Sequence, residues 1–134
     1  MVTPWFAPPT WRIEDGRQTL DVYRAASTRK GAPVVVFLYG GRWKYSTKHD
    51  YLLVGNALAR QGWIAVLPNY RLFPSARFPA WVVDGASAVR WVRGHAAEYG
   101  GDSTNIVVVG HSSSAHTVVC WRWTVATWLR LACP

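Results

Sequence analysis

Along the chain, stretches that are apolar without interruption take turns with stretches whose apolar residues recur at helical spacing. The uninterrupted ones are Val34-Val35-Val36-Phe37-Leu38-Tyr39, Trp63 to Leu67 and Ile106-Val107-Val108-Val109. Continuous rather than alternating apolarity means burial on both faces, which a strand finds in a parallel sheet covered by helices. Between the first two, Tyr51, Leu52, Val54, Leu58 and Ala59 mark a helix from Lys48 to Arg60, closed by Gln61-Gly62 as a glycine cap. Trp81, Val82, Gly85, Ala88, Val89, Val92 and Ala96 share a face of a second helix, from about Ala80 to Tyr99, which stops at Gly100-Gly101. Asp102 to Asn105 reads as a polar turn, and Ser27 to Pro33 as a loop. Near the start, Thr10 to Glu14 and Thr19 to Tyr23 read as two strands split by the hairpin signal Asp15-Gly16. The order predicts an α/β architecture: a βαβαβ parallel sheet opened by an antiparallel pair.

Composition narrows the class without changing this picture. The 134 residues suffice for one domain with a real core, and an apolar share of 50% against 16% charged is globular. No run of eighteen apolar residues occurs, and Met1-Val2-Thr3-Pro4-Trp5 lacks the apolar core of a signal peptide, so a soluble cytoplasmic protein without a membrane span is expected. The formal charge of +8 raises the question of nucleic acid, which needs clustered cations. Here Arg12, Arg17, Arg24, Arg42, Arg60, Arg71, Arg77, Arg90 and Arg93 are scattered, so no nucleic-acid partner is expected. Cys120 and Cys133 form no C-x-x-C pair and have no histidine at ligand spacing; neither a metal site nor a disulfide framework is expected, and no cofactor.

The chemistry concentrates where the last apolar run ends, in Gly110-His111-Ser112-Ser113-Ser114-Ala115-His116. A strand here gives way to a tight turn and then to residues with helical potential. At the apex of so sharp a reversal the backbone is strained, and the apex side chain stands clear of the sheet beside the positive end of the new helix. Ser112 is placed there as a nucleophile. The earlier strand ends in Gly40-Gly41-Arg42-Trp43, where two glycines let the backbone approach a ligand with its N–H groups, or make an ordinary strand-to-loop turn.

Over roughly residues 10 to 119 these motifs, in this order, resemble the N-terminal half of an α/β-hydrolase of the esterase, lipase and arylformamidase group. Tyr39-Gly40-Gly41-Arg42-Trp43 resembles the H-G-G-x-W loop, and Asn69-Tyr70-Arg71-Leu72-Phe73-Pro74 the D-Y-R-L-x-P segment. Phe78-Pro79-Ala80 with Asp84 resembles the start of the following helix, Gly100-Gly101-Asp102 the approach to the nucleophile strand, and Gly110 to His116 the G-H-S-A-G-A-H elbow. The resemblance implies an α/β-hydrolase fold and acyl transfer on a small ester or amide. Ser112 would be the nucleophile. The oxyanion would be held by backbone N–H groups of Gly40 or Gly41 with Arg42, plus that of Ser113. Backbone donors make the Tyr39 departure harmless, whereas the hydroxymethyl of Ser114, where the pattern has glycine, is expected to strain or tilt the elbow. The resemblance also implies an acid and a histidine after the nucleophile, yet no Asp, Glu or His follows His116. His111 is too local for that role, His116 lies along the new helix, and His49 and His95 precede the elbow.

From Cys120 onward the character changes: both cysteines, several of the tryptophans and no acidic residue. Trp and Arg favour a membrane surface, which suggests an interfacial anchor, but the apolar residues do not gather on one face. The genetic code offers a sharper reading. Tryptophan and cysteine constrain their codons, and reading the tail one base earlier yields a continuation of the kind the resembling family has. The expectation is a hydrolase half-domain over residues 1–119 and a frameshifted tail over 120–134, a fold truncated after the nucleophile strand and elbow. Without later strands, Ile106 to Val109 would be a bare apolar edge prone to self-association. Two functions stand side by side: a serine carboxylic-ester hydrolase crippled by a missing acid and histidine, or an inert truncated product, free or bound to a partner.

Overall fold

A computed structural model of the chain describes residues 16–121, and residues 2–7 as backbone. Strands β1 (Val2–Ala7), β2 (Leu20–Ala25), β3 (Ala32–Leu38), β4 (Ile64–Pro68) and β5 (Gly101–Gly110) form one sheet in the order β1-β2-β4-β3-β5. β3 runs parallel to β4 and to β5, β2 is antiparallel to β4, and β1 is antiparallel to β2. Helices α1 (Leu52–Arg60) and α2 (Ala80–His95) are each extended by a 3-10 turn, Lys48–Tyr51 before α1 and Ala96–Tyr99 after α2. Helix α3 covers residues 113–121.

The uninterrupted apolar strands are explained by a helix on each side. Val34 and Val36 point to one face with Leu20, Val22, Val66 and Val92 of α2, while Val35 points to the other with Tyr23, Ala65, Leu67 and Ala59 of α1. Strand side chains alternate between faces, so both phases of β3 must be apolar. Burying each such valine contributes about 1.5–3 kcal/mol.

Three expectations are corrected. The partner of β2 is Val2–Ala7, paired from Val2 opposite Ala25 to Ala7 opposite Leu20, and Thr10 to Glu14 lies outside the described residues. On α1 the inward residues are the small ones, Gly55 and Ala59, whereas Leu52 and Leu53 are exposed. The ring of Tyr23 explains this: a Cβ on Gly55 would come within 2.6 Å of it, so the helix presses its glycine onto the strand. Asp102 to Asn105 is not a separate turn but part of β5. The ladder advances from Ala32 to Val34 on β3 while it advances from Gly101 to Ile106 on β5, so the polar residues are taken up as a bulge. Within it, the carboxylate of Asp102 accepts the N–H (2.8 Å) and hydroxyl (2.6 Å) of Thr104. Among the described residues β5 is the outer strand beside β3, with Val107 and Val109 exposed.

Candidate active site

β5 ends at Gly110 because the chain turns back on itself at once. A Cβ there would sit 2.4 Å from the carbonyl oxygen of Ser114. The turn is closed by the Ser114 N–H on the His111 carbonyl (3.1 Å) and the Ala115 N–H on the Ser112 carbonyl (3.0 Å), and α3 follows. Ser112, at the apex, has φ 54°, a left-handed conformation that costs a non-glycine residue about 1–2 kcal/mol. It is exposed.

The loop after β3 is pressed against this apex. A Cβ on Gly40 would lie 2.9 Å from both the Ser112 Cβ and the His111 Nδ1, so only glycine permits the approach. Gly41, at φ 136°, opens a turn in which its carbonyl accepts the N–H groups of Lys44 and Tyr45, each at 3.0 Å. Arg42 and Trp43 are also left-handed, both at φ 57°. Trp43 is held in that conformation by its surroundings: it stacks on Trp81 at 5.5 Å, its indole N–H donates to Thr117 (3.4 Å) and its carbonyl accepts the Phe73 N–H (2.8 Å). The Arg42 N–H donates to the Ser113 hydroxyl at 3.1 Å, joining the loop to the elbow. The Gly40 N–H donates to the Tyr51 hydroxyl (3.4 Å), which in turn meets the His111 Nδ1 at 3.0 Å. The Tyr51 hydroxyl thus bridges the Gly40 N–H and the His111 ring.

Below the loop lies a buried polar framework. Arg17 donates to the Tyr39 hydroxyl (3.1 Å), the Ser46 carbonyl (2.8 Å) and the Tyr70 carbonyl (3.1 Å), tying three segments together. The Tyr70 hydroxyl and the Ser114 hydroxyl both donate to the Tyr39 carbonyl and lie 2.9 Å from each other. Burial pushes the Tyr39 and Tyr70 phenols above their ordinary range, so both stay protonated as donors. Asp84 of α2, 1% exposed, accepts the backbone N–H of Arg71 (2.9 Å), its guanidinium (2.8 Å to Nη2) and the Gln18 amide (3.0 Å). Lys48 pairs with Asp21 of β2 at 2.5 Å in the interior, and its backbone N–H donates to the Asn69 side chain at 2.8 Å. These contacts fix both ends of the loop that carries Gly40, Gly41 and Arg42.

The structure therefore brings Ser112, Ser113, Gly40 and Arg42 into one cluster. Ser114 corrects an expectation. Rather than tilting the elbow, its side chain is 1% exposed and fully engaged with Tyr39 and Tyr70, because α3 starts over a polar pocket. Of the histidines, His111 bonds Tyr51, His116 lies edge-on to Trp43 at 5.8 Å and meets the Cys120 Sγ at 3.5 Å, His95 bonds the Trp91 carbonyl at 2.8 Å, and His49 is exposed in the 3-10 turn before α1. Arg17, Tyr51 and Tyr70 escaped sequence reading as site residues. Asp84 carried a visible signal, a lone carboxylate on an otherwise apolar helix face. Trp121, assigned to the tail, packs on α2, donating to the Val82 carbonyl at 3.1 Å; the tail beyond it lies outside the described residues.

Comparison with known proteins agrees with this geometry. The BD-FAE family model matches residues 20–123. Esterase LipC of Mycobacterium tuberculosis is 35% identical over 77% of this chain and 26% of its own length, and carboxylesterase NlhH of the same species 38% identical over 85% and 39%. Among solved structures, esterase B from Lactobacillus rhamnosis superposes with a TM-score of 0.77 at 26% identity, over 87% of this chain and 37% of that one. The thermophilic esterase Est2 from Thermogutta terrifontis gives 0.68 at 30%, over 76% and 39%. The chain thus spans well under half the length of these relatives. A strained serine at a strand-to-helix turn, a double-glycine loop packed on it and a match over most of the chain converge: the chain belongs to the BD-FAE family, within the α/β-hydrolase esterases.

Proposed function

We propose that Ser112 is the nucleophile of carboxylic-ester hydrolysis on a small-molecule ester, with the tetrahedral oxyanion held by backbone N–H groups of Gly40 or Gly41 with Arg42, and of Ser113. The observation that carries this is the strained, exposed Ser112 packed against Gly40, where no side chain intervenes between apex and loop. In the reaction the Ser112 oxygen attacks the ester carbonyl carbon and its proton leaves to a base; collapse of the tetrahedral species expels the alcohol, which takes up a proton, and water then hydrolyses the acyl-Ser112 ester to the acid and free serine. Preorganised N–H donors at the developing oxyanion are worth about 10²–10³ in rate each; in this reading the Gly40 and Arg42 N–H groups exchange the Tyr51 and Ser113 hydroxyls they now meet for the oxyanion. Of the described histidines, His111 meets Tyr51, His116 meets Trp43 and Cys120, His95 bonds the Trp91 carbonyl and His49 is exposed; none is hydrogen-bonded to Ser112, so in this reading the proton goes to solvent. Turnover is then that of hole and binding alone, roughly 10³–10⁴ above the reaction in water.

The test is hydrolysis of p-nitrophenyl acetate by the chain and by Ser112→Ala. A Ser112-dependent burst supports the assignment; identical rates in the two proteins leave the inert reading standing. The outer edge of β5, with Val107 and Val109 exposed, supports the companion proposal of self-association through that edge. Sedimentation of Val109→Lys against the parent chain tests it, and an unchanged association state would count against the edge.

A further inference from the structure

The resembling motif has glycine where this chain has Ser114, and the hydroxyl gained there is not idle. Two hydroxyls, from Ser114 on α3 and Tyr70 on the loop after β4, converge on the carbonyl of Tyr39. A carbonyl has two lone pairs, so it has room for both donors. The peptide group is planar, with C=O and N–H pointing in opposite directions. Holding the Tyr39 carbonyl inward therefore aims the Gly40 N–H outward, where it meets the Tyr51 hydroxyl at 3.4 Å. The two residues that follow are glycines, and Gly41 sits at φ 136°, a region with little intrinsic preference to hold it. Their direction is set from outside, by this peptide at one end and by the Arg42 N–H on Ser113 at the other.

We infer that Ser114 is a positioning residue that, with Tyr70, fixes the Tyr39–Gly40 peptide and so holds the oxyanion loop in register with Ser112. This rests on the oxyanion assignment made above. Ser114 touches no substrate; it acts through a carbonyl of the loop, and because it is the second residue of α3, two after the nucleophile, the same short segment places both reacting halves. A serine that merely filled space would leave loop order untouched when replaced by alanine.

The test uses the full chain with Ser114→Ala and, separately, Tyr70→Phe, read by amide hydrogen exchange along the whole chain and by the Ser112-dependent burst. Each variant is expected to speed exchange at Gly40, Gly41 and Arg42 about tenfold while β2 and β4 keep the parent's protection. The burst rate is expected to fall about tenfold in each, with the double variant no worse than twice the worse single. Unchanged exchange at Gly40 to Arg42 in Ser114→Ala, or loss spread evenly over the sheet in both variants, overturns the inference. If the parent shows no Ser112-dependent burst, the hydrolase assignment falls, and the exchange pattern alone still decides whether Ser114 orders the loop.

Discussion

Replacing Asp84 with alanine deletes the carboxylate on which the loop after β4 hangs. Asp84 is 1% exposed and receives the Arg71 backbone N–H at 2.9 Å, the Arg71 guanidinium at 2.8 Å and the Gln18 amide at 3.0 Å. Removing one partner of a buried ion pair costs about 3–5 kcal/mol, because the remaining charge keeps its desolvation without its compensation. The Arg71 side chain retains 21% exposure and relaxes toward water, which sets the lower end of that range, about 3 kcal/mol. Against a total stability of about 5–15 kcal/mol this is a large fraction. It corresponds to a melting temperature lower by about 10 °C or more, and to a urea midpoint lower by about 1–3 M at ordinary m-values. Asp84→Asn keeps one acceptor oxygen in place and is expected to lose roughly half as much. Urea titrations followed by tryptophan fluorescence and by circular dichroism, checked for coincidence, measure both. A loss below about 1 kcal/mol for Asp84→Ala, or an equal loss for the two variants, would refute the claim that this carboxylate carries the loop through charge-assisted hydrogen bonds.

The strain at the apex predicts that Ser112→Gly raises the melting temperature, by relief of about 1 kcal/mol, while abolishing the ester burst; a lowered melting temperature would mean that no strain is stored there. Gly41→Ala places a Cβ 2.3 Å from the Tyr45 carbonyl oxygen at φ 136°, and is expected to cost at least ~2 kcal/mol in urea unfolding, where a near-neutral result would show a pliable loop. Burial first, and then the neighbouring Asp21 carboxylate, pushes the Tyr23 phenol from 10.0 to about 12. The folded state favours its neutral form, so that share of stability is complete below pH 10 and is lost as pH rises toward 12. Tyr23→Phe should lessen the alkaline slope, leaving the share of the raised Tyr39 and Tyr70 phenols, as seen by following phenolate absorbance and unfolding together; a slope unaltered by the substitution would assign it to other groups.

The sheet was legible because its strands are buried on both sides: with Val34 and Val36 needed by one helix and Val35 by the other, the run could be nothing but apolar. The elbow was legible because close backbone approach leaves only small residues acceptable, and Gly40 and Gly110 each face an atom nearer than a Cβ tolerates. What stayed hidden has two physical sources. Arg17 and Tyr70 act through hydrogen bonds to partners 22 to 53 residues away in sequence, and nothing local in Arg17-Gln18-Thr19 or Asn69-Tyr70-Arg71 encodes those partners. The Asp102 segment has turn chemistry in every residue, and only the parallel ladder to β3 overrides it into a bulged strand. Ser114 shows the same limit from the other direction, since a departure from a motif can be judged only with the pocket beneath it in view.

β3 and β5 lie side by side as parallel strands, yet the contacts that join loop to elbow span long stretches of chain: 71 residues from Arg42 to Ser113 and 75 from Tyr39 to Ser114. Everything between must fold over before these groups meet, and parallel pairing across so long a closure is slow. As the chain leaves the ribosome, the glycine loop emerges early with its eventual neighbour still unsynthesised. Reactive serine and donor loop therefore come into existence together, when β3 and β5 pair, and the rate at which Ser112 gains reactivity during refolding would report that long-range step rather than a local one.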